Sequence, residues 1–145
     1  MADINRRSAM ALGLTAAAAT PLLALSTTAL AAAPTYGPND GQDIGHGLRM
    51  VEIGEVESQI DAYKSIKIVD IIYPVGGADA DDDPVMDTDM VCHIIAGEFK
   101  IEKPGLAPYT VKDGMVYTCG KGKKDKATNI SNVVGIHRIA LLMPA

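Results

Sequence analysis

The sequence is poor in large aromatic side chains and in histidine. It contains no Trp and only one Phe among 145 residues, so Ile, Val, Leu, Met and Tyr must fill its hydrophobic core. Its three histidines are His46, His93 and His137, and no Ser-His-Asp arrangement can be assembled from them. A helical period is also missing after residue 33. These absences predict a mostly β domain without a serine-hydrolase type of site.

The first 31 residues have the pattern of a cleavable export signal. Arg6 and Arg7 precede an uncharged run rich in Ala, Leu and Thr over 9–33, and the small residues at 29–31 fit the rule for signal peptidase cleavage. The adjacent arginines resemble a bacterial twin-arginine signal, which implies export of a folded protein to the periplasm. The alternative is an uncleaved membrane anchor, although no basic stop-transfer cluster follows the run.

Positive charge is scarce in the rest of the chain. Without residues 1–31 the protein keeps 11 Lys and Arg against 17 Asp and Glu, a net charge of −6. An acidic domain repels phosphate backbones, which argues against nucleic acid as a partner. The length favours one domain. After signal cleavage we expect no association with a membrane.

Alternating and β-branched apolar residues predict strands along the mature chain. Residues 32–62 combine a Gly- and Pro-rich segment with loose alternation, which predicts an N-terminal arm with short strands. Residues 63–145 contain stronger β runs and predict a barrel. Six aspartates at 78–89 do not have EF-hand spacing, so we expect a solvated loop. His137 and Arg138 interrupt the last apolar run, and at least one of them is expected to face solvent.

Two cysteines, Cys92 and Cys119, lie in two of the predicted strands. An even number of cysteines in an oxidising compartment favours a disulfide. The alternative is a pair of buried free thiols that fill space as small apolar side chains, because a bridge requires Cβ atoms about 4 Å apart. The sequence leaves both alternatives open.

Glycine spacing in the second half of the chain resembles the cupin family. The second cupin motif runs Gly, five residues, Pro, one residue, Gly, two residues, His, three residues, Asn. The corresponding positions here are Gly114, Gly120, Gly122, Asp125 and Asn129. Gly97 and the strand after it resemble the end of the first motif. The resemblance covers about 66–142 and implies an all-β, cupin-like jelly-roll β-barrel.

The residues that hold a metal in a typical cupin are replaced in this chain. The resemblance implies three imidazoles and one carboxylate around a divalent transition metal. Met90 stands at the glutamate position and Asp125 at the second-motif histidine. We therefore expect no metal and no other cofactor. The alternative is a rearranged set of Asp87, Asp89, Cys92 and Asp125, which would make the protein a metal-dependent oxidoreductase, isomerase or lyase.

Strand alternation suggests which side chains line the barrel interior. If Met90 points inward, Cys92 and Ile94 do so too. We take Met90, Cys92, Tyr117 and Asp125 as pocket candidates, in a packed core or in a cavity for a small organic ligand. The sequence thus predicts an exported barrel without the usual metal site that binds a small molecule or a periplasmic protein partner. Pairing of edge strands into a homodimer is a further hypothesis.

Overall fold

The computed structural model describes residues 32–82 and 85–145, and the predicted signal peptide lies outside the described residues. Within the described part there are nine strands and no helix. The strands are β1 (Gln42–Gly45), β2 (Leu48–Glu57), β3 (Tyr63–Tyr73), β4 (Asp89–Ala96), β5 (Glu98–Glu102), β6 (Tyr109–Lys112), β7 (Val116–Cys119), β8 (Lys126–Asn129) and β9 (Gly135–Pro144). Accordingly, the described residues include no helix long and apolar enough to cross a membrane.

The strands form two antiparallel sheets with one core between them. The larger sheet has the order β1-β2-β3-β9-β4-β7, and the smaller has the order β6-β5-β8. Inward side chains of both sheets share a cluster that includes Val69, Ile71 and Ile94 from the larger sheet and Ile101 and Val111 from the smaller. This arrangement confirms the predicted all-β architecture.

The strand β2 is longer than the sequence predicts. It has ten residues and pairs with β3 from Arg49 opposite Ile72 to Glu57 opposite Ser65. Of the strands within 32–62, where the sequence predicts short ones, β1 has four residues, whereas β2 has ten because Gly54 does not end it. The pairing of β2 with β3 shifts in register between Glu52 and Gly54, and β2 continues past that point.

The only phenylalanine lies at the centre of the core. Phe99 has no exposed surface, and its ring meets that of Tyr73 edge to face at 5.0 Å. Gly135 packs against it so closely that a Cβ at that position would lie 2.5 Å from Cζ of Phe99. Gly97, at φ 91°, makes the turn between β4 and β5 next to Gly135. The motif glycine at 97 therefore serves both a left-handed turn and a close approach of two backbone segments.

An ion pair crosses the outer face of the larger sheet. Asp70 on β3 has no exposed surface, and Arg138 on β9 donates two hydrogen bonds to its carboxylate at 2.7 and 2.8 Å. The hydroxyl of Tyr36 donates a third at 2.6 Å. Arg138 thus points outward, in keeping with the expectation for the final strand, whereas His137 points into the barrel and is 4% exposed.

Candidate functional site

A cavity of about 500 Å³ lies against the inner face of the larger sheet. We call it the barrel cavity. Its apolar lining includes Ile44, Ile71, Val85, Met86, Met90 and Ile139. Its polar lining consists of Tyr73, Asp79, Asp87, Cys92, Asp125 and His137. The combination of an apolar wall and a few polar groups is typical of a site for a small molecule.

Alternation along β4 places two of the predicted pocket residues in this cavity. Met90, Cys92 and Ile94 are buried, and the residues between them are half-buried on the other face. Cys92 stands opposite Tyr117 of β7 on one side and Ile139 of β9 on the other. The inner face of β4 therefore forms the middle of the cavity wall, as the period of two predicts.

Tyr117 and His137 form a polar pair beside the cavity. The hydroxyl of Tyr117 lies 3.1 Å from Nε2 of His137, and the two rings stack with centroids 5.6 Å apart. Burial lowers the pKa of His137 from 6.5 to about 4, so its imidazole is neutral at pH 7. Burial also raises the pKa of the Tyr117 hydroxyl well above its usual value. Nδ1 of His137 is buried and has no hydrogen-bond partner in the part of the chain that the structure describes.

A second tyrosine bonds a carboxylate at the cavity wall. The Tyr73 hydroxyl donates to Oδ1 of Asp79 at 2.6 Å, and the backbone N–H of Ala127 donates to Oδ2 of Asp79 at 2.7 Å. Burial, with the negative charge of Asp79, raises the pKa of Tyr73 well above its usual value. Both oxygens of Asp79 therefore have partners within the protein.

Asp125 stands between the barrel cavity and a cleft on the surface, since it lines both. It belongs to the loop between β7 and β8, where the backbone N–H of Gly122 donates a hydrogen bond to the carbonyl of Met86 at 2.8 Å. The residue is 7% exposed, and its Oδ2 has no hydrogen-bond partner among residues 32–82 and 85–145. Burial raises the pKa of the carboxyl, while Lys103 and the thiol of Cys119 act in the opposite direction.

Comparison with known proteins identifies the fold. No protein-family model matches the chain, and no curated protein matches its sequence. Among solved structures, KdgF from Halomonas sp. superposes with a TM-score of 0.57 at 12% identity, over 71% of this chain and 87% of that one. An RmlC-like cupin from Shewanella frigidimarina gives 0.55 at 17% identity, over 77% and 89%. The fold is cupin-like.

A third neighbour shows how far this likeness reaches. A predicted oxalate decarboxylase from Thermotoga maritima gives a TM-score of 0.54 at 14% identity, over 66% of this chain and 80% of that one. Proteins with different descriptions thus share the cupin-like fold with this chain. At such identities the likeness shows the fold alone, because one fold supports many unrelated sites.

The donors around the cavity do not fit the metal set of a typical cupin. In the described residues, no group of three or more His, Cys, Asp or Glu is arranged to hold a metal ion. The rearranged set is not assembled either. Oδ2 of Asp89 accepts from the Tyr63 hydroxyl at 3.1 Å, and Oδ1 accepts from the backbone of Lys121 at 2.8 Å. Asp89 precedes inward-facing Met90 and so projects to the opposite face from Cys92.

The two cysteines of the cupin-like barrel are buried free thiols. Cys119 stands opposite Met90, and Cys92 stands opposite Tyr117, so the cysteines are diagonal neighbours on one face of two strands. Diagonal positions hold Cβ atoms farther apart than a disulfide allows. Burial raises the pKa of Cys92 to about 12, and Asp125 adds to the rise. Burial and the charge of Asp125 thus both disfavour the thiolate of Cys92, which is the reactive form of a cysteine.

The lysine-rich segment over 121–126 borders two clefts outside the barrel. The larger measures about 660 Å³ and is lined by Lys103, Lys123 and Lys124 among others. The smaller measures about 350 Å³. Lys103 donates to the carbonyl of Thr118 at 2.6 Å, and Lys126 forms an ion pair with Asp81. Although one cleft is larger than the barrel cavity, we place the candidate site in the cavity, because it is lined by both Asp125 and His137, each of which has a buried polar atom without a partner among the described residues.

Three of the four sequence-predicted pocket residues line the cavity, namely Met90, Cys92 and Asp125. Tyr117 is not among the lining residues, but its hydroxyl bonds His137, which is. Sequence reasoning missed His137, together with Tyr73 and Asp79 in the polar lining. The signal for His137 was present in the alternation with Ile139 and Leu141 of β9, because residues two apart on a strand share a face. Asp79 lay in the acidic segment predicted as a solvated loop.

Proposed function

We propose that this protein is an exported cupin-like barrel that binds a small organic molecule in the barrel cavity without the usual metal site. One observation carries the proposal. Asp125 and His137 both line the cavity, both are more than nine-tenths buried, and each has a polar atom without a partner in the described chain. A ligand with complementary polar groups supplies those partners.

The energetics support a binding site rather than a packed core. A buried polar group without a hydrogen bond costs about 1–3 kcal/mol, and a side chain placed only for stability would avoid that cost. A volume of about 500 Å³ falls within the usual range for small-ligand pockets, roughly 300–1,000 Å³. Met90, Ile71 and Ile139 supply an apolar surface for the body of the ligand.

The proposal is tested by titrating cyclohexanol into protein labelled with ¹³C at Ile and Met methyl groups. We expect the methyl signals of Ile71, Met90 and Ile139 to move with saturable concentration dependence. The methyl signals of Ile53 and Ile60, which are exposed and outside the cavity, should not move. If neither cyclohexanol nor its charged analogues move the three cavity signals, the proposed function is wrong.

The place of action and the assembly are further parts of the proposal. Residues 1–31 would direct export of the barrel to the periplasm and would then be removed. Sequencing the N-terminus of the mature protein tests the cleavage. A periplasmic protein partner and a homodimer stay predictions from the sequence. Size-exclusion chromatography at two protein concentrations tests the homodimer.

A further inference from the structure

The barrel cavity has a charge of one sign. Asp79, Asp87 and Asp125 all line it. Of the lining residues in the described part of the chain, none is Lys or Arg. His137 adds no positive charge at pH 7, because burial lowers its pKa to about 4. An anion that entered would therefore meet carboxylates and no cation in the wall.

The three carboxylates differ in how far their oxygens are already bonded. Asp79 uses Oδ1 for Tyr73 and Oδ2 for the backbone of Ala127. Asp87 is exposed at the edge of the cavity. Asp125 is buried, and its Oδ2 has no hydrogen-bond partner among the residues described. Asp125 is thus the carboxylate that can accept a hydrogen bond from a ligand inside the cavity.

We propose that the ligand of the barrel cavity is a small organic cation, an ammonium group on a compact hydrocarbon body, whose charged end donates to Asp125. The hydrocarbon lies against Ile71, Met90 and Ile139. This inference rests on the function proposed above and specifies the chemical class of the ligand.

The positive charge of the ammonium group would offset the cost of burying the negative charge of Asp125. Burial penalises the carboxylate and raises the pKa of Asp125, and a cation at hydrogen-bond distance offsets that penalty. A charge-assisted hydrogen bond is about twice as strong as a neutral one. Lys103 also lies close enough to stabilise the carboxylate, but its ammonium is bonded to the Thr118 carbonyl and is not part of the cavity wall.

Three probes of similar shape separate charge from apolar contact, namely cyclohexylamine, cyclohexanol and cyclohexanecarboxylate. Their dissociation constants are measured at pH 7 from the methyl signals of Ile71, Met90 and Ile139. For the wild-type protein we expect cyclohexylamine to bind about tenfold more tightly than cyclohexanol, as a charge-assisted bond predicts. We expect cyclohexanecarboxylate to bind more weakly than the alcohol.

Asp125→Asn is the variant that isolates the carboxylate. It keeps the shape of the side chain and should bring the ratio of the amine and alcohol dissociation constants to about 1. Asp61→Asn is the matched control, because Asp61 is exposed, lies outside the cavity and changes the net charge by the same amount. This control should keep the tenfold ratio.

The outcomes separate this inference from the proposed function. If the alcohol moves the cavity signals but the wild-type protein binds the amine no better, the ligand class is wrong and the proposed function stands. An amine preference that persists unchanged in Asp125→Asn also overturns the role of Asp125. If no probe moves the cavity signals, both proposals fail. The wild-type ratio does not depend on the folding of any variant.

Discussion

Tyr117 and His137 meet across an intervening strand. Tyr117 lies on β7 and His137 on β9, and β4 runs between them in the sheet. The Tyr117 hydroxyl is nevertheless 3.1 Å from Nε2 of His137, and Cys92 of β4, which is 1% exposed, stands opposite Tyr117. This contact joins side chains of β7 and β9 across β4 on the inner face of the sheet. It also gives Nε2 of His137 its hydrogen-bond partner.

Removal of the Tyr117 hydroxyl should destabilise the fold. In Tyr117→Phe, Nε2 of His137 loses the partner that the structure gives it, and a buried unsatisfied polar group costs about 1–3 kcal/mol. We expect the free energy of unfolding, measured with urea, to fall by that amount. The control is Tyr109→Phe. The ring of Tyr109 packs edge to face on Tyr117, but its hydroxyl makes no hydrogen bond with the described residues. Equal losses in both variants would contradict this role of the Tyr117–His137 contact.

The stability of the protein should depend on the protonation of His137. Its pKa is lowered from 6.5 to about 4 in the folded state, so the unfolded chain binds the proton more readily. The contribution of neutral His137 to the free energy of unfolding is therefore present in full well above pH 6.5. It is lost as the pH falls toward 4, by about 3 kcal/mol in total.

His137→Gln measures this contribution, because glutamine cannot gain the proton. We compare the free energies of unfolding of the two proteins between pH 7.5 and 4.5. The wild-type protein should lose more stability than the variant as the pH falls. Asp125, whose pKa is raised, acts in the opposite direction in both proteins and so cancels in the comparison. Parallel curves would show that His137 is not buried as a neutral group.

The replacement Asp125→Asn should stabilise the ligand-free protein at pH 7. Burial of the carboxylate is unfavourable, as its raised pKa shows, and asparagine has the same shape without the charge. We expect a gain of about 1 kcal/mol, which should vanish at low pH, where the carboxyl is protonated. Chemical denaturation at pH 7 and at a series of lower pH values follows the loss of this gain. A loss of stability at pH 7 would mean that the carboxylate supports the fold instead of a ligand.

The ion pair between Asp70 and Arg138 should matter far more than an exposed one. Arg138→Met leaves the fully buried carboxylate of Asp70 without its bidentate partner, which costs about 3–5 kcal/mol. The matched control is Lys67→Met, which breaks the partly exposed pair of Lys67 and Glu52 on the same sheet and should cost far less, because water screens the charges of an exposed pair.

A double variant separates the buried charge from the loss of packing. Asp70→Asn combined with Arg138→Met removes both charges, so its free energy of unfolding should recover much of the loss in Arg138→Met. If the double variant is as unstable as the single one, the cost arises from the arginine side chain itself and not from an unpaired carboxylate.

Local sequence patterns predicted much of the fold and part of the site. The period of two along β4 placed Met90 and Cys92 inside, and the glycine spacing led to the cupin-like fold that the solved structures share. The length of β2 was missed, because a glycine within a strand can mark a shift in register as well as an end. The sequence pattern also left the state of the cysteines open, and only the diagonal register of β4 and β7 decided it.

The sequence by itself determined the strand character of the chain and the inward face of most strands, because alternation is a local property of neighbouring residues. Only the tertiary structure decided which strands are neighbours. The insertion of β9 between β3 and β4 brings His137 beside Tyr117 and sets Arg138 against Asp70, 68 residues earlier. Such pairings join distant parts of the chain, and no local period records which of several β runs will lie side by side.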